Sequence, residues 1–569
     1  MMILFYVVCN KNLFGQNTYV PLNGYTYHLM DRINISLDTI SFHSSVKPYN
    51  RLVFDSLYYK PHRYEGHVYN FDEISPSSEG NKPLKESTNR IYLFENSTEI
   101  YFTPEESPIN DGMLLNYFYK EPASFYAFTN EAFFIKVNPV LYTEFGFSSD
   151  TSELKFLNSR GIELRGGIDN KVGFYFYAAD NQAKLPDYIN DRIENSSSVL
   201  PGEGRVKPFK ETGVDYLTAR GYIGFNVTKH IAVQFGQDKI FIGDGIRSMI
   251  WSDNSKDFLF LKLNTNVWRI NYQNIFAELA NYKPININDG PIEKKYAAMH
   301  HLSVNITDDI NIGLFESVVF DRIDSSGNNS GFELQYLNPI IFYRSVESGL
   351  GSPDNVLLGA NWKWNFLHRF SFYGQFVLDE FIFDEFIKSS GWWGNKNALQ
   401  LGLKYIDAFS INYLDLQYEF NTARPYTYAY EDNGSSYTHY SQAIAHPLGA
   451  NFKENIFSAW YQITPKIVLQ DNFISAVYGS DTSDSNWGSN IFSNYNTYEQ
   501  EYDNTIAQGI KNNLLLNDFV ISWQFWHNMF LEGRCIYRKN DAALNQFDID
   551  ELYFGIGIRI NAVMSRNYY

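Results

Sequence analysis

A hairpin between Thr218 and Gly236 constrains the fold more than any other stretch of the sequence. Apolar residues alternate with small or polar ones on both of its arms, at Ile223, Phe225 and Val227, and then at Ile231, Val233 and Phe235. A period of two residues is typical of a β-strand with one apolar face. The second arm leads into a long polar and aromatic excursion, 237–257. The pattern predicts two strands with a tight turn at one end and a long loop at the other.

The same unit repeats from Phe125 to the C-terminus. Residues that favour turns predict short connections at 138–139, 169–170, 228–229, 264–266, 308–309, 367–368, 406–407, 464–465 and 526–528. Long connections are predicted at 180–213, 237–256, 281–293, 321–354, 379–395, 421–453 and 480–512. Every long connection leaves from the same end of the strands, which is the asymmetry of outer-membrane barrels.

The strand count decides the size of the barrel. Counting from Phe125 gives roughly nineteen strands, whereas bacterial single-chain barrels have even numbers. We therefore expect an all-β fold, a transmembrane antiparallel β-barrel of about 18 strands, with about 20 as the alternative. The mean hydropathy of -0.32 excludes a helical membrane protein. It is compatible with a barrel, because only alternate strand residues meet lipid.

The segment before the barrel lacks the hairpin rhythm. Residues 1–15 are predicted to be a signal peptide, 16–120 an N-terminal plug or periplasmic segment, and 121–569 the barrel. A lipoprotein cysteine at Cys9 and a buried first strand are the alternatives for the N-terminus. Residues 27–35 are expected to form a short helix or strand, and 75–80 a flexible link. Removal of the signal would leave Cys535 without a disulfide partner.

The loop after the first hairpin is the main candidate for a ligand site. It interleaves aromatic and charged side chains, namely Asp238, Lys239, Asp244, Arg247, Trp251 and Asp253. Aromatic faces beside carboxylate and guanidinium groups suit sugars, through stacking and charge-assisted hydrogen bonds. The alternative is a loop folded into the barrel mouth and held by its own salt bridges.

Two further clusters are weighed in the same way. The segment 334–344 is too apolar for an exposed loop and is expected to pack inside the barrel as a constriction, where Tyr343 and Arg344 line a passage or simply pack. The carboxylates at Asp379, Glu380, Asp384 and Glu385 suggest a glycoside hydrolase or a calcium site, or else a solvated acidic rim. Trp392 and Trp393 lie nearby as girdle or sugar-stacking residues.

The remaining chemistry excludes several classes. A net charge of -18 argues against nucleic acid as a partner. The adjacent His300 and His301 would face opposite sides of a strand, so they cannot bind one metal together. We find no Ser, Cys or His nucleophile motif, and we predict no metal, no cofactor and no enzymatic activity.

Several stretches resemble one family. The run Phe235-Gly236-Gln237-Asp238-Lys239-Ile240-Phe241-Ile242-Gly243-Asp244-Gly245-Ile246-Arg247-Ser248 is the most specific of them. The segments 336–344 and 378–381, and the start of the predicted mature chain at 19–23, 31–33, 42–43 and 47–49, are similar as well. Together they resemble a Bacteroidota outer-membrane β-barrel family that is similar to the gliding-motility protein RemB and, more distantly, to the capsule assembly protein Wzi. The resemblance carries no catalytic residues.

This resemblance implies a barrel in the cell outer membrane that serves gliding motility, or capsule or exopolysaccharide assembly and binding. Its expected partners are outer-membrane lipid, surface polysaccharide and gliding-machinery proteins. Two alternatives stay open, a porin-like channel for small solutes and a secreted glycan hydrolase that uses the 379–385 carboxylates.

Overall fold

The computed structural model describes residues 18–36, 42–51, 119, 124–130, 132–149, 151, 153–169, 171–195, 198–210, 212–281, 292–321, 331–340, 342–350, 354–544 and 548–563. The predicted signal peptide and all of 52–118, with the predicted link at 75–80, lie outside these ranges.

Eighteen antiparallel strands close into one barrel, which confirms the predicted fold. In chain order they are β1 Phe133–Ser148, β2 Lys155–Ile168, β3 Val172–Lys184, β4 Gly213–Asn226, β5 Ile231–Asp238, β6 Phe258–Val267, β7 Ile270–Asn281, β8 Glu293–Asn305, β9 Ile310–Phe320, β10 Asn355–Phe366, β11 Phe370–Leu378, β12 Asn397–Tyr405, β13 Leu414–Ala423, β14 Phe452–Thr464, β15 Ile467–Ser480, β16 Ile510–Trp526, β17 Met529–Ala542 and β18 Ile549–Ile560.

Each strand pairs with its neighbours in sequence, and β18 closes the barrel on β1, with Ile560 opposite Leu141. The short strand Tyr126–Thr129 pairs with the first half of β1. The short strand Lys207–Phe209 pairs with the first residues of β4. Short strands outside the wall are Val46–Lys47, Phe241–Ile242, Thr438–His439 and Gln442–Ala443. In the described part of the chain, the α-helices are α1 Tyr25–Ser36, α2 Asp187–Asn195, α3 Tyr343–Leu350 and α4 Phe383–Ile387, and 3₁₀ turns form at Leu334–Leu337, Ala408–Ser410, Asn433–Ser435 and Tyr495–Thr497.

The predicted asymmetry of the connections is confirmed. Tight turns join the strands at one end of the barrel, the turn end, as at Leu367 and His368, whose φ angles are 54° and 53°. Long connections leave from the opposite, loop end. Two predicted turns are wrong. Asn138 and Pro139 lie inside β1, and 264–266 lie inside β6. Splitting β1 at Asn138 is what raised the sequence count to an odd number.

The barrel wall has the expected alternation. Outward side chains such as Phe147, Leu314 and Ile556 are more than half exposed, whereas inward neighbours are buried. In β12, for example, Leu403 is exposed and Lys404 is buried. An apolar outer band around a polar interior is the surface of a barrel embedded in a bilayer. None of the described helices has the length and apolar character needed to cross a membrane.

Helix α1 lies inside the barrel near the turn end. Its apolar face packs on Val20 and Tyr49. Its polar face is bound to the β12–β13 turn and to β13, because Arg32 pairs with Asp407 of the turn at 2.8 Å and with Asp415 of the strand. These contacts hold the described N-terminal residues inside the lumen, and we call residues 18–36 and 42–51 the plug. Residues 27–35, expected to be a helix or a strand, are helical.

The loop end of the lumen is filled by an apolar core. Its members come from the β5–β6 connection, from the β13–β14 connection and from inward positions of β6 to β14. Fully buried examples are Ile242, Trp251, Phe452 and Tyr437. The sequence could not indicate this core, because its residues are far apart along the chain.

Residues 331–340 and 342–350, here the outer-wall segment, contradict the prediction made for 334–344. It lies on the outside of the barrel, where Tyr336 and Tyr343 pack on outward residues of β7 to β10 such as Val318 and Phe320. Even-numbered residues of β9 face outward, since Ile312 and Leu314 on the same face are exposed. The segment was expected inside because apolar loops usually seek an interior, and here the outer wall provides the partner surface.

Candidate functional site

The connection 239–257, here the lumen loop, crosses the barrel interior and is paired with the plug. Its Phe241–Ile242 strand pairs with Val46–Lys47, and the amide of Gly243 donates to the Ser45 carbonyl at 2.7 Å. Gly243 has φ 138°, and a Cβ there would lie 2.3 Å from Gln375 Nε2, so only glycine fits. The most specific run of the sequence is therefore the junction between plug and wall.

Two inward side chains of the wall hold the far half of the lumen loop. The carboxylate of Glu419 accepts the backbone amides of Ile246 at 2.7 Å and Arg247 at 3.0 Å. The amide oxygen of Gln375 accepts the backbone amide of Met249 at 2.6 Å. Because a buried amide without a partner is costly, these contacts fix the path of the loop.

A cavity of about 150 Å³ lies between the lumen loop, the plug and the wall formed by β1 to β5. Its lining is rich in tyrosines, and we call it the tyrosine cavity: Tyr19, Tyr142, Tyr175, Tyr177, Tyr216 and Tyr222. The rings of Tyr175 and Tyr222 stack with centroids 5.3 Å apart. Tyr222 also holds the plug, since its hydroxyl accepts the backbone amide of Tyr19 at 2.7 Å.

The charged groups of the cavity are mostly bound by the protein itself. Lys239 Nζ donates to the carbonyls of Gly202 at 2.5 Å and Asp253 at 2.9 Å. Burial lowers the pKa of Lys239 from its ordinary value. The Asp253 carboxylate accepts from Asn23 Nδ2 at 2.6 Å, and Arg220 lies 3.7 Å from Glu203. The cavity therefore presents aromatic faces and hydroxyls framed by compensated charges.

The structure brings four of the predicted site residues together. Asp238, Lys239, Arg247 and Asp253 all line the tyrosine cavity. Asp244 is buried, is not part of the cavity lining, and accepts from the Ser44 hydroxyl. Trp251 is fully buried and packs on Phe258 and Tyr437.

The other four predicted residues lie elsewhere. Tyr343 lies on the outer wall, and Arg344 belongs to α3, with its side chain outside the described residues. Asp379 and Glu380 lie at the loop end, where Lys396 Nζ contacts both carboxylates, at 3.4 and 3.2 Å. Burial raises the pKa of Asp379 to about 6. Because the Lys396 ammonium pairs with both carboxylates, these residues stabilise the loop.

A cluster of aromatic rings lies at the loop end beside this ion pair. Trp393 stacks on Tyr498 with centroids 4.7 Å apart and also contacts Tyr495 and Trp392. The backbone amide of Trp393 donates to the Glu501 carbonyl at 2.9 Å, which ties the β11–β12 connection to the β15–β16 connection. The two tryptophans predicted as girdle or sugar-stacking residues thus join two outer loops.

Sequence reasoning missed the tyrosines of the cavity. Tyr175 and Tyr177 occupy alternate positions of β3, the spacing that turns both rings to one face. That signal was available, but it does not tell whether the face is inward. The meeting of six tyrosines from the plug and three strands follows only from closure of the barrel.

Comparison with known proteins supports the fold. No protein-family model matches the sequence, and no curated protein is similar to it. Among solved structures, the barrel is similar to Wzi of Escherichia coli, an outer membrane protein involved in group 1 capsule assembly and described as a carbohydrate-binding β-barrel. The TM-score is 0.54 at 12% identity, and the match covers 96% of this chain and 100% of Wzi.

Two other similar structures are OprD of Pseudomonas aeruginosa and OccAB2 of Acinetobacter baumannii. Their TM-scores are 0.41 and 0.42 at 12% and 8% identity; each match covers 75% of this chain, and 94% and 97% of the two neighbours. The similarity to Wzi shows that the chain has the fold of an outer-membrane β-barrel. The Wzi part of the predicted resemblance is supported at the level of fold, whereas the relation to Bacteroidota gliding proteins stays a prediction.

Proposed function

We propose that this outer-membrane barrel is a non-enzymatic binder of surface polysaccharide that takes part in capsule or exopolysaccharide assembly. The tyrosine cavity is the observation that carries the proposal. Tyrosine combines a flat apolar face with a hydroxyl, so one side chain can stack on a sugar ring and hydrogen-bond its hydroxyls. Six such side chains around one cavity are a surface suited to sugars.

The electrostatics favour sugar units with little charge. Lys239 and Asp253 are bound by backbone and amide groups of the protein. Arg247 lies 3.4 Å from Glu454. Because these charges are already compensated, a strongly anionic ligand would gain little from them. Neutral rings would gain from stacking and from the tyrosine hydroxyls.

Similarity to Wzi supports the same class of ligand, since Wzi is described as carbohydrate-binding. A role in gliding stays a prediction that no observation on this structure favours. The apolar core of the lumen disfavours a porin-like channel, because Trp251 and its neighbours occupy the path that a solute would need. The ion pairs of Lys396 with Asp379 and Glu380 disfavour their use as a hydrolytic acid and base.

Calorimetric titration tests the proposal with purified barrel and oligosaccharides from the surface polysaccharide of the source cell. Tyr177→Ala and Tyr216→Ala are expected to weaken binding about 3- to 10-fold each, the ~0.5–1.5 kcal/mol of an aromatic contact. Tyr177→Phe keeps the ring and separates stacking from the hydroxyl.

Tyr126→Ala is the matched control, because Tyr126 is 54% exposed outside the cavity. Equal affinity of Tyr177→Ala and Tyr126→Ala for the oligosaccharide would show that the tyrosine cavity is not the binding site. The absence of any binding by the unmodified protein would contradict the polysaccharide assignment itself.

A further inference from the structure

Three polar residues lie side by side on the outward face of the wall, where lipid-facing residues are expected. Asn274 of β7 is the register partner of His300 of β8, and His300 is the partner of Glu316 of β9. We call them the polar row. All three are buried, although Leu314, two residues from Glu316 on the same face, is 57% exposed. Polar groups facing hydrocarbon are costly, so something must cover them.

The outer-wall segment covers the polar row and binds it. Glu316 Oε2 accepts the backbone amide of Tyr343 at 2.8 Å. The ring of His300 lies against that of Tyr343 with centroids 4.0 Å apart. The polar row is therefore the docking strip for the segment.

The segment reaches far down the wall. The hydroxyl of Tyr272 donates to the carbonyl of Pro339 at 2.5 Å. Tyr272 is only two residues from Ile270, where β7 begins at the turn end. The segment starts and finishes at the loop end, between β9 and β10. It therefore descends past the middle of the wall, into the depth that the apolar band assigns to the bilayer.

Its backbone is suited to that depth. The amides of Tyr336 and Ser345 donate to carbonyls of the segment, at 3.1 and 3.0 Å. The amide of Ile340 donates to Asn338 Oδ1 at 3.2 Å, and Pro339 carries no amide hydrogen. Non-helical backbone survives in hydrocarbon only where its polar groups are satisfied by protein, and the amides of Tyr336, Ile340, Tyr343 and Ser345 have such partners in the segment and on Glu316.

The outward side of the segment is apolar. Leu334, Ile340 and Phe342 are 71%, 85% and 76% exposed. Ile312 and Leu314 of the bare wall next to them are exposed in the same direction. The apolar surface of the segment therefore continues the lipid-facing band of the barrel.

We infer that the outer-wall segment is a membrane-embedded part of the protein, docked on the polar row and in contact with the acyl chains of the surrounding lipid through Leu334, Ile340 and Phe342. It seals a polar strip of the wall and widens the barrel on one side. The occupant of its outer surface is lipid rather than a second copy of the chain.

Fluorescence quenching tests this inference in liposomes, in a chain whose Cys9 and Cys535 are replaced by serine. The environment-sensitive dye NBD is attached to Ile340→Cys. Leu314→Cys on the bare wall is the lipid-facing control, and Tyr502→Cys, on an exposed loop, is the water-facing control. Loss of heat-modifiable gel mobility would identify a variant that fails to fold.

Doxyl-labelled acyl chains are expected to quench the dye at Ile340 as strongly as at Leu314, whereas aqueous iodide quenches it only at Tyr502. Quenching of Ile340 by iodide to the level of Tyr502 would overturn the inference. Oxidative cross-linking of Ile340→Cys into a dimer in native membranes would overturn it as well, since the surface would then face a second copy.

Discussion

The lumen loop and the outer-wall segment dock on the same barrel by the same chemistry, on opposite faces of its wall. Glu419 accepts two backbone amides of the lumen loop, and Glu316 accepts one from the outer-wall segment. Both glutamates are buried strand residues. Glu419 faces inward and Glu316 faces outward. Each glutamate therefore lies on the same face of the wall as the excursion that it binds.

Loss of the two glutamates should give the largest effect and should differ between them. Glu419→Ala leaves the amides of Ile246 and Arg247 and the hydroxyl of Tyr373 without their acceptor. Glu316→Ala removes the acceptor of the Tyr343 amide. Because each orphaned buried donor costs about 1–3 kcal/mol, unfolding by urea in micelles should show the greater loss for Glu419→Ala.

The matched controls are Glu419→Gln and Glu316→Gln, which retain an acceptor oxygen and should lose less stability than the alanine variants. Limited proteolysis adds a local readout, since Glu316→Ala should expose cleavage within 331–350 only. Equal stability losses for the two alanine variants would break the comparison between the two faces.

Removal of an aromatic ring should cost more stability in the lumen loop than in the outer-wall segment. Trp251→Ala in the lumen loop removes a fully buried ring, for which a loss of about 3–5 kcal/mol is expected. Phe342→Ala in the outer-wall segment removes a ring that is 76% exposed, and we expect a change within ~0.5 kcal/mol. The midpoints of urea unfolding in micelles measure both, and similar shifts would show that the outer segment is buried by something other than lipid.

Acid should lower the stability of the folded protein, because it protonates His439, which is buried in the lumen. Its Nδ1 accepts the amide of Ala280 at 2.9 Å, and burial lowers its pKa to about 3. At a pH below 6.5, the ordinary pKa of histidine, His439 binds a proton in the unfolded chain but stays neutral in the folded chain. The stability from this group is therefore complete above that value and falls as the pH drops toward 3.

Substitution of His439 should make this dependence visible. Between pH 6.5 and pH 5, the unmodified chain is expected to lose about 2 kcal/mol of its free energy of unfolding, from ~1.4 kcal/mol for each unit of pH. His439→Asn should unfold with a shallower pH dependence than the unmodified chain. Parallel profiles of the two proteins between pH 4 and 7 would contradict this role.

Local sequence patterns were enough to predict the barrel and the asymmetry of its ends. The alternation in β12 and β13 predicts their faces, because a strand repeats every two residues whatever lies around it. The error at Asn138 and Pro139 has the same origin. Turn-forming residues are read locally, whereas the pairing of Asn138 with Glu163 is made by the neighbouring strand.

The candidate site was only partly predictable. The 236–248 run indicated a loop of special geometry, and three of its charged residues, Asp238, Lys239 and Arg247, do line the cavity. The tyrosines come from the plug and from separate strands, so their meeting depends on closure of the barrel. Glu316 did carry a local signal, since it interrupts the apolar face made by Ile312 and Leu314.

The sequence by itself determined the strand period, the barrel class and the two unlike ends, since these depend on contacts between residues close in the chain. The tertiary structure alone decided which excursion entered the lumen and which lay on the outer wall. Both excursions are apolar and aromatic, and the choice depends on where the wall offers acceptors for their buried amides. Such acceptors become neighbours only after the barrel has closed.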